Sequence, residues 1–274
     1  VIVEVGGGLG YLARELGKEL LPFEKQTIRY ISLDITEPFL KLQVTRAKAG
    51  GWGGIGTRAN GEWLPFKNHS VDLVIDNENM ADMTPVKLTR QELLDGTGKT
   101  QQHQEALDWI RRVRLPVGRD LPEDVIFNLG PFRFVAELWR VLKPGGRAFL
   151  TEFGVEEGWP APVKLPGHTE YEVQYSHLRQ ATRWLGFQER YLTLPQFLAI
   201  KPDSKVLCTG AAYTIQRFCQ AMNKPFIVRA YQEKELQQAL GDMLSKLHGC
   251  HYHDVADPAW FGLLDFKVLL LEKP

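Results

Sequence analysis

A run of glycines near the start of the chain constrains the fold more than any other feature. Residues 1–5 (VIVEV) are short and apolar, which is typical of a strand buried on both faces, and the chain continues as GGGLG. Gly6, Gly8 and Gly10 lack the Cβ atom that hinders a sharp bend or the close approach of a ligand. Residues 11–20 then place leucines four residues apart, which predicts a helix directly after the glycines. A strand, a glycine turn and a helix N-terminus together predict a ligand that carries a nucleotide.

The rest of the chain alternates between strand and helix patterns. This alternation predicts an α/β fold, a doubly wound, mostly parallel, Rossmann-like sheet of seven strands. Two segments, roughly 83–130 and roughly 200–255, interrupt the alternation, and we interpret them as insertions in one domain that spans residues 1–274. The patterns predict strands over 1–5, 27–35, 71–75, 147–153, 191–194 and 266–272, one short strand within 50–61, and helices over 11–21, 37–49, 101–113, 132–142 and 175–187.

Composition excludes several classes of function. The chain has 33 basic and 33 acidic residues, so it lacks the strong basic field of a typical nucleic-acid-binding protein. No apolar run approaches the roughly 18 residues of a membrane span, and no signal-peptide pattern is present. The three cysteines, Cys208, Cys219 and Cys250, do not suggest a disulfide framework, and we expect a reducing, cytoplasmic location. Because the chain begins within a strand at Val1, we expect it to be part of a longer chain or a complex.

The glycine pattern narrows the choice of nucleotide. Gly6, Gly8 and Gly10 match G-x-G-x-G, but Tyr11 stands where the dinucleotide pattern requires Gly or Ala, and no P-loop pattern occurs. Asp34 closes the second predicted strand, 24 residues after Gly10. In a parallel sheet that position lies beside the glycine turn, where a carboxylate can accept both ribose hydroxyls. The alternative is a surface carboxylate at the start of a helix.

Four motifs in order resemble the class I S-adenosylmethionine-dependent methyltransferases. They are EVGGGLG at residues 4–10, Asp34 after strand two, GEWLPFKNHSVDLV at 61–74 and RVLKPGG at 140–146. The resemblance covers about residues 1–155. It implies a methyltransferase with S-adenosyl-L-methionine as cofactor and a small molecule or a protein side chain as methyl acceptor. It also implies that the two insertions form the acceptor site or a cap.

The same resemblance implies a set of site residues. The family usually has Asp-Ala where this chain has Asn60 and Gly61, although an amide can still bond to the edge of the adenine. Asp76 and Glu78, which follow the fourth strand near the reactive sulfonium, are the implied catalytic residues. The implied cofactor-binding residues are Glu4, Gly6, Gly8, Gly10, Asp34, Ile35, Asn60, Gly61 and Asn77.

A narrower resemblance concerns the acceptor. Segments such as IRYISLDITEPFLKLQ and HTEYEVQYSHLRQATRWLGF are similar to the MidA-type methyltransferases, which methylate arginine on a partner protein. An arginine acceptor needs carboxylates to hold its guanidinium, and Glu78, Asp82 and Glu152 are candidates. The alternative for Glu78 and Asp82 is a pair of acids that complements a helix dipole. A small-molecule acceptor, or a binding module that has lost catalysis, also remains open.

Two groups of histidines complete the candidates. Residues 248–254 (HGCHYHD) hold donors that suit a metal, but no second ligand pair follows at a zinc-type spacing, so we assign no metal ligands from the sequence. A polar loop is the alternative for this segment. His168 and Tyr171 are candidates for the mouth of the substrate site, and a structural or solvated role is the alternative for His168.

Overall fold

The computed structural model describes residues 1–117, 121–200 and 265–274, the strand backbones 204–207, 231–232 and 252–254, and the single positions 221, 238 and 241. The chain divides into two compact units. One comprises Val1–Tyr191 with Lys267–Pro274, and the other comprises Leu192–Phe266. Most of the predicted insertion at roughly 200–255 lies outside the described residues, and so do all three cysteines.

Strands and helices alternate along most of the first unit, in which a 3₁₀ turn spans Met80–Asp82. The described residues of both units contain strands and helices. The strands are β1 (Ile2–Val5), β2 (Tyr30–Asp34), β3 (Ile55–Arg58), β4 (Val71–Asn77), β5 (Val86–Thr89), β6 (Asp124–Phe127), β7 (Leu142–Val155), β8 (Pro162–Leu165), β9 (His168–Tyr171), β10 (Val173–Gln174), β11 (Gln188–Thr193), β12 (Ser204–Leu207), β13 (Tyr231–Gln232), β14 (Tyr252–Asp254) and β15 (Phe266–Glu272). The helices are α1 (Tyr11–Glu19), α2 (Pro22–Thr27), α3 (Glu37–Ala49), α4 (Arg90–Asp95), α5 (Gln101–Arg112), α6 (Leu129–Val141), α7 (Tyr175–Leu185) and α8 (Leu194–Phe197). Of these elements, α8, β12, β13 and β14 belong to the second unit.

The main sheet has the order β11-β15-β7-β4-β1-β2-β3, and β10 pairs with β7 beside this path. β3, β2, β1, β4 and β7 run parallel to one another. The end of β15 pairs with the start of β7, because Gly145 N–H donates to the Lys273 carbonyl at 2.7 Å and Lys273 N–H donates to that of Gly146 at 2.9 Å. β15 therefore runs opposite to its neighbour. The prediction of a doubly wound, mostly parallel α/β sheet is confirmed, with the two-residue β10 as an eighth strand.

The order of strands creates a crevice between β1 and β4. From β1 the chain proceeds to β2 and β3 on one side of the sheet, and then returns to β4 on the other side. Val5, the last residue of β1, pairs with both Leu33 of β2 and Asp76 of β4. Ligands of open α/β sheets bind outside the carboxyl ends of the strands at such a reversal. The glycine turn that follows Val5 lies at this point.

The segment between β4 and α6 contributes to the core of the first unit. β5 and β6 form an antiparallel pair, with α4 and α5 between them in sequence. Leu88, Trp109 and Phe127 from this segment are buried in the same apolar cluster as Val74 of β4. Burial of these large side chains stabilises the pair of strands against the sheet.

Two local features are not evident from the sequence pattern. In α1, Ala13 and Gly17 are buried and Leu16 is only partly buried, whereas Leu12 is 42% exposed. A Cβ atom at Gly17 would lie 2.4 Å from the Gly50 carbonyl oxygen, so small residues let this helix approach the end of α3. The KPGG turn at 143–146 lies within the bounds of β7, where the register with β4 shifts after Val71.

Candidate functional site

Two cavities meet at the glycine bend after β1, and both are lined by Val5 and Gly6. The Asp34 cavity has a volume of about 400 Å³ and is lined by Val5, Gly6, Leu33, Asp34, Ile35, Ala59, Asn60, Gly61, Glu62, Asn79, Asp82, Met83, Thr84 and Pro85. The glycine-loop cavity has a volume of about 450 Å³ and is lined by Glu4, Val5, Gly6, Gly7, Gly8, Leu9, Tyr11, Leu12, Asn77 and Glu78. The ends of β1, β2 and β4 thus supply residues to two neighbouring cavities that share Val5 and Gly6.

The three predicted glycines have different neighbours. Gly6, Gly8 and Gly10 all adopt positive φ, at 62°, 48° and 74°. A Cβ atom at Gly6 would lie 2.3 Å from Asn79 Oδ1, and one at Gly10 would lie 2.7 Å from the Cα atom of Gln43. A Cβ atom at Gly8 would meet no protein atom within 4 Å. Gly6 and Gly10 are therefore required by the packing of the chain itself, whereas Gly8 borders open space in the glycine-loop cavity.

Asp34 is held by hydrogen bonds before any ligand is considered. Its side chain is buried, and Oδ1 accepts hydrogen bonds from the Thr36 N–H at 2.8 Å and from the Thr36 hydroxyl at 2.9 Å. Oδ2 accepts a hydrogen bond from Gln43 Nε2 at 2.7 Å. An ionised carboxylate has about four acceptor positions, so three are used and one is left for a ligand. A carboxylate fixed in this way is oriented in advance for a hydroxyl donor.

The remaining predicted residues on this side form the walls of the Asp34 cavity. The side chain of Ile35 is 61% exposed and presents an apolar surface. Asn60 Oδ1 accepts a hydrogen bond from the Glu62 N–H at 2.9 Å, which leaves the amide nitrogen of Asn60 as its donor toward a ligand. A Cβ atom at Gly61 would lie 2.9 Å from Val5 Cγ1, so glycine is needed for packing at that position.

Glu4 is a buried carboxyl group at the edge of the glycine-loop cavity. It is only 3% exposed, and its Oε2 atom has no hydrogen-bond partner. Burial raises the pKa of Glu4 to about 7, and the nearby Tyr30 hydroxyl acts in the opposite direction. An incompletely satisfied buried acid is costly unless a cation or a donor reaches it.

The two implied catalytic residues, Asp76 and Glu78, lie close together at the end of β4 but differ in burial. Asp76 is completely buried and lines neither cavity; its Oδ2 atom accepts a hydrogen bond from Asn79 Nδ2 at 2.7 Å, whereas its Oδ1 atom has no partner. Burial raises the pKa of Asp76 to about 7. Asn77 and Glu78 are exposed and line the glycine-loop cavity. Glu78 has φ of 55°, an uncommon conformation for this residue that often occurs at functional sites.

Glu152 and Asp82, the other candidate acids, have contrasting environments. Glu152 is buried, and its carboxylate accepts hydrogen bonds from the N–H groups of Ala81 at 3.1 Å and Phe153 at 2.9 Å. Burial raises the pKa of Glu152 to about 8, and the charges of Asp76 and Glu78 add to the effect. Asp82 is exposed and lines the Asp34 cavity. Glu152 therefore braces the turn that carries Asp82 and has no free face for an acceptor.

His168 and Tyr171 are not among the residues that line the two cavities. Both residues belong to β9, which pairs with β8 as an antiparallel hairpin. The sequence patterns did not predict this hairpin, although the dipeptide Pro166–Gly167 is a recognisable turn signal. Gly167 adopts a φ of 92° in this turn. Of the 248–254 cluster, only the backbone of Tyr252–Asp254 is described, and the other residues lie outside the described part.

Several residues that support the site were not predicted. Thr36 could have been found, because a hydroxyl residue two positions after an aspartate commonly completes a local turn. Gln43 and Asn79 carry no comparable signal, since each contacts the glycine segment only after α3 and β4 pack beside β1. Gln43 Nε2 also donates to the Gly8 carbonyl at 3.1 Å. These two amides connect the glycine bend to the acids Asp34 and Asp76.

The fold and site define a Rossmann-like α/β protein with a ligand crevice at the strand reversal. No protein-family model matches the sequence, and no curated protein sequence matches it. Similar solved structures include the [4+2]-cyclase SpnF, at 15% identity and a TM-score of 0.49, with 100% of this chain and 75% of that chain covered. An S-adenosylmethionine-dependent methyltransferase from Mesorhizobium loti has 12% identity and a TM-score of 0.44, with 99% and 89% covered.

A third similar structure was determined with a nucleoside ligand. It is phosphoethanolamine N-methyltransferase 2 of Haemonchus contortus, crystallised with phosphomonomethylethanolamine and S-adenosylhomocysteine. Its identity is 14% and its TM-score is 0.48, with 100% of this chain and 48% of that chain covered. Since all three TM-scores lie below 0.5, activity has to be inferred from the residues of this chain. Within the described residues, no helix is long and apolar enough to cross a bilayer.

Proposed function

We propose that this chain is an S-adenosyl-L-methionine-dependent methyltransferase whose acceptor is a small molecule or a protein side chain. The observation that carries the proposal is the pair of cavities that share Val5 and Gly6 as lining residues, with Asp34 in one and Glu4 in the other. A ligand with ribose hydroxyls at one end and an ammonium group at the other fits this distribution of carboxylates. A phosphate chain would instead meet buried acids, which disfavours a dinucleotide.

Five of the predicted cofactor-binding residues have a specific role in this proposal. The remaining acceptor position of Asp34 takes one ribose hydroxyl, and the exposed face of Ile35 packs on the adenine. The amide nitrogen of Asn60 donates to a ring nitrogen of the adenine edge, because its oxygen already accepts from Glu62. Glu4 compensates the ammonium group through water, since the residue lines the glycine-loop cavity and one of its carboxylate oxygens has no hydrogen-bond partner. Gly8 supplies open backbone against which the cofactor lies.

The bound cofactor supplies a methyl group activated by a sulfonium centre. The chain contributes mainly the positioning of the acceptor, and a proton acceptor if the nucleophile must lose a proton. Glu78 suits that role because it is exposed at the glycine-loop cavity and its backbone is fixed by an N–H bond to the Thr151 carbonyl at 2.9 Å. Asp76 instead supports this loop through Asn79, so we assign it a positioning role rather than contact with the acceptor.

If the acceptor is an arginine, as the MidA-like hypothesis proposes, two carboxylates are available to hold its guanidinium group. Glu78 and Asp82 are exposed on different cavities, whereas Glu152 is engaged with the backbone of the intervening turn. A small-molecule acceptor would use the part of the 83–130 segment that borders the Asp34 cavity, namely Met83, Thr84 and Pro85. The same segment would then act as the acceptor wall that we expect of the insertion.

Calorimetric titration with S-adenosylmethionine and with S-adenosylhomocysteine tests the proposal. We expect saturable binding of both compounds and no competing saturable binding of a nicotinamide dinucleotide. Incubation of a cell extract with methyl-labelled cofactor then separates the acceptors, because label enters either a protein band or an extractable small molecule. Absence of cofactor binding by the folded chain would refute the proposal. Binding without transfer to any acceptor would instead support the binding-module alternative, which the structural use of Asn60 Oδ1 favours.

A further inference from the structure

Three side chains with metal-binding atoms converge beside the Asp34 cavity. Asp82 comes from the 3₁₀ turn after β4, and His168 and Glu170 come from β9, 86 residues or more later in the chain. Their potential ligand atoms all lie within 4.8 Å of one another. We propose that Asp82, His168 and Glu170 bind one divalent transition-metal ion, which joins the β8–β9 hairpin to the turn after β4.

The distances in this cluster suit a single ion. His168 Nε2 lies 2.9 Å from Glu170 Oε1 and 3.8 Å from Asp82 Oδ1. Ligand atoms that surround one metal at about 2.0–2.2 Å are separated from one another by roughly 3–3.5 Å. His168 Nε2 and Glu170 Oε1 are already hydrogen-bonded, and a small rotation of the Asp82 side chain, which is about half exposed, would close the 3.8 Å gap to His168.

The two elements that carry the cluster, strand β9 and the 3₁₀ turn after β4, are both held in place by contacts with other parts of the fold. β8 and β9 pair in register from Pro162 opposite Tyr171 to Leu165 opposite His168, and β9 packs against the 3₁₀ turn. The turn itself is fixed because Glu152 accepts the Ala81 N–H. A site built on two braced elements is more precise than one on a free loop. The ion would therefore add a cross-link between segments that the chain brings together by other contacts.

The chemistry of the donors indicates the class of ion. One imidazole and two carboxylates suit zinc, manganese, cobalt or iron(II), whereas magnesium and calcium prefer oxygen ligands alone. Asp82 and Glu170 repel each other across the histidine, and a dication relieves that repulsion. The exposure of Asp82 and His168 leaves coordination positions open to water or to an oxygen of a ligand. Because Asp82 also lines the Asp34 cavity, such a ligand could be an acceptor of the proposed methyl transfer, a consequence that rests on the proposed function.

The metal site can be tested without any cofactor. The full chain is dialysed against a chelator and titrated with cobalt(II) chloride or zinc chloride, followed by calorimetry and, for cobalt, by visible absorption. We expect saturable binding of one ion with an imidazole-type cobalt spectrum. Asp82→Asn and His168→Ala should each weaken the affinity about 100-fold or more, because loss of a direct ligand should cost at least as much as loss of a supporting group. Both positions are exposed, so both variants should fold.

A matched control distinguishes this cluster from the other histidines of the chain. His251→Ala alters the HGCHYHD segment and should leave the affinity and the cobalt spectrum unchanged. The proposal is overturned if the wild-type chain shows no saturable binding. It is equally overturned if His251→Ala abolishes binding while Asp82→Asn and His168→Ala retain it. The metal titration contains no S-adenosylmethionine, so its result neither supports nor refutes the methyltransferase proposal, which is tested separately by cofactor binding.

Discussion

The carboxylates at the carboxyl ends of β2 and β4, Asp34 and Asp76, are both buried but are stabilised in opposite ways. Asp34 has both oxygens engaged, by Thr36 and Gln43, which are its near neighbours in sequence. Asp76 is more deeply buried, yet only one of its oxygens has a partner, Asn79. Asp34, at the end of β2, is thus oriented to accept a hydrogen bond from a neutral hydroxyl group. Asp76, near the end of β4, is a carboxyl group whose ionisation is costly.

The same contrast extends to the cavities on either side of the glycine bend. The Asp34 cavity has a satisfied acid and an apolar wall at Ile35, which suits a nucleoside. The glycine-loop cavity has the unsatisfied acid Glu4 and the exposed acid Glu78, which suits a cationic group. The difference indicates that a ligand with a neutral sugar and a positive charge would lie across Gly6 in one orientation only.

Alanine substitutions at Gly6 and Gly8 should have the largest effects and should separate packing from binding. Gly6→Ala places a methyl group on Asn79 at positive φ, so we expect a loss of about 2–5 kcal/mol in the free energy of unfolding. Gly8→Ala meets no protein atom and should cost only about 1–2 kcal/mol for the left-handed backbone. Denaturant unfolding measures both values.

Cofactor titration of Gly8→Ala completes this pair. We expect Gly8→Ala to fold but to bind S-adenosylmethionine at least about 10-fold more weakly, because its methyl group enters the glycine-loop cavity. Unchanged cofactor affinity in this variant would contradict the distinction between Gly6 as a packing residue and Gly8 as a residue that borders the cofactor.

Replacing Asp76 by Asn should change how stability depends on pH. Burial raises the pKa of Asp76 from 3.8 to about 7, so the native state keeps a proton that the unfolded state has lost. The protonated Asp76 carboxyl group therefore favours the native state fully below about pH 4, and this contribution to the free energy of unfolding is lost as the pH rises through 7. Between pH 4 and 8 the wild type should lose about 2–4 kcal/mol relative to Asp76→Asn.

Urea unfolding at several pH values measures this difference. Glu4 and Glu152, with raised pKa values of about 7 and 8, contribute slopes of the same sign, so the variant keeps part of the dependence. Parallel stability profiles for the wild type and Asp76→Asn would contradict the view that the β4 end holds the unsatisfied acid.

Replacing Asp34 by Ala tests the satisfied strand end. We expect S-adenosylmethionine binding to weaken by about 1–3 kcal/mol, because a charged acceptor of a ribose hydroxyl is lost. Calorimetry measures the change, and thermal unfolding shows whether the loss of the Thr36 and Gln43 bonds affects folding. Asp72→Ala is the control, since Asp72 is an exposed acid that pairs with Lys143 away from both cavities. Equal affinities for the two variants would argue against a ribose at Asp34.

The smallest expected effect concerns the strained residue Glu78. Glu78→Gly relieves a φ of 55° but adds freedom to the unfolded chain, so we expect a net stabilisation of about 0.5–1 kcal/mol. Methyl transfer should fall in the same variant while cofactor affinity changes little, because Glu78 faces the acceptor in our proposal. If the variant is both more stable and fully active, Glu78 has no catalytic role.

Much of the fold could be predicted from sequence because its signals are local. Helix α3 begins and ends as the pattern predicts, and the end of β2 at Asp34 follows from a short apolar run before a helix start. The burial of Gly17 in α1 could not be predicted, because glycine at this position is selected by the close approach of Gly50 rather than by helical periodicity. The β8–β9 hairpin has a turn signal but no strong strand pattern.

The sequence by itself determined the glycine bend, the acid after β2 and the order of the elements, because each depends on residues that are near one another in the chain. Only the tertiary structure decided that Asp76 is buried while its near neighbour Glu78 is exposed, since strand pairing and the packing of Asn79 set their environments. It also brought Asp82 to His168 across 86 residues. Burial and long-range proximity depend on packing between distant segments, and no local pattern encodes them.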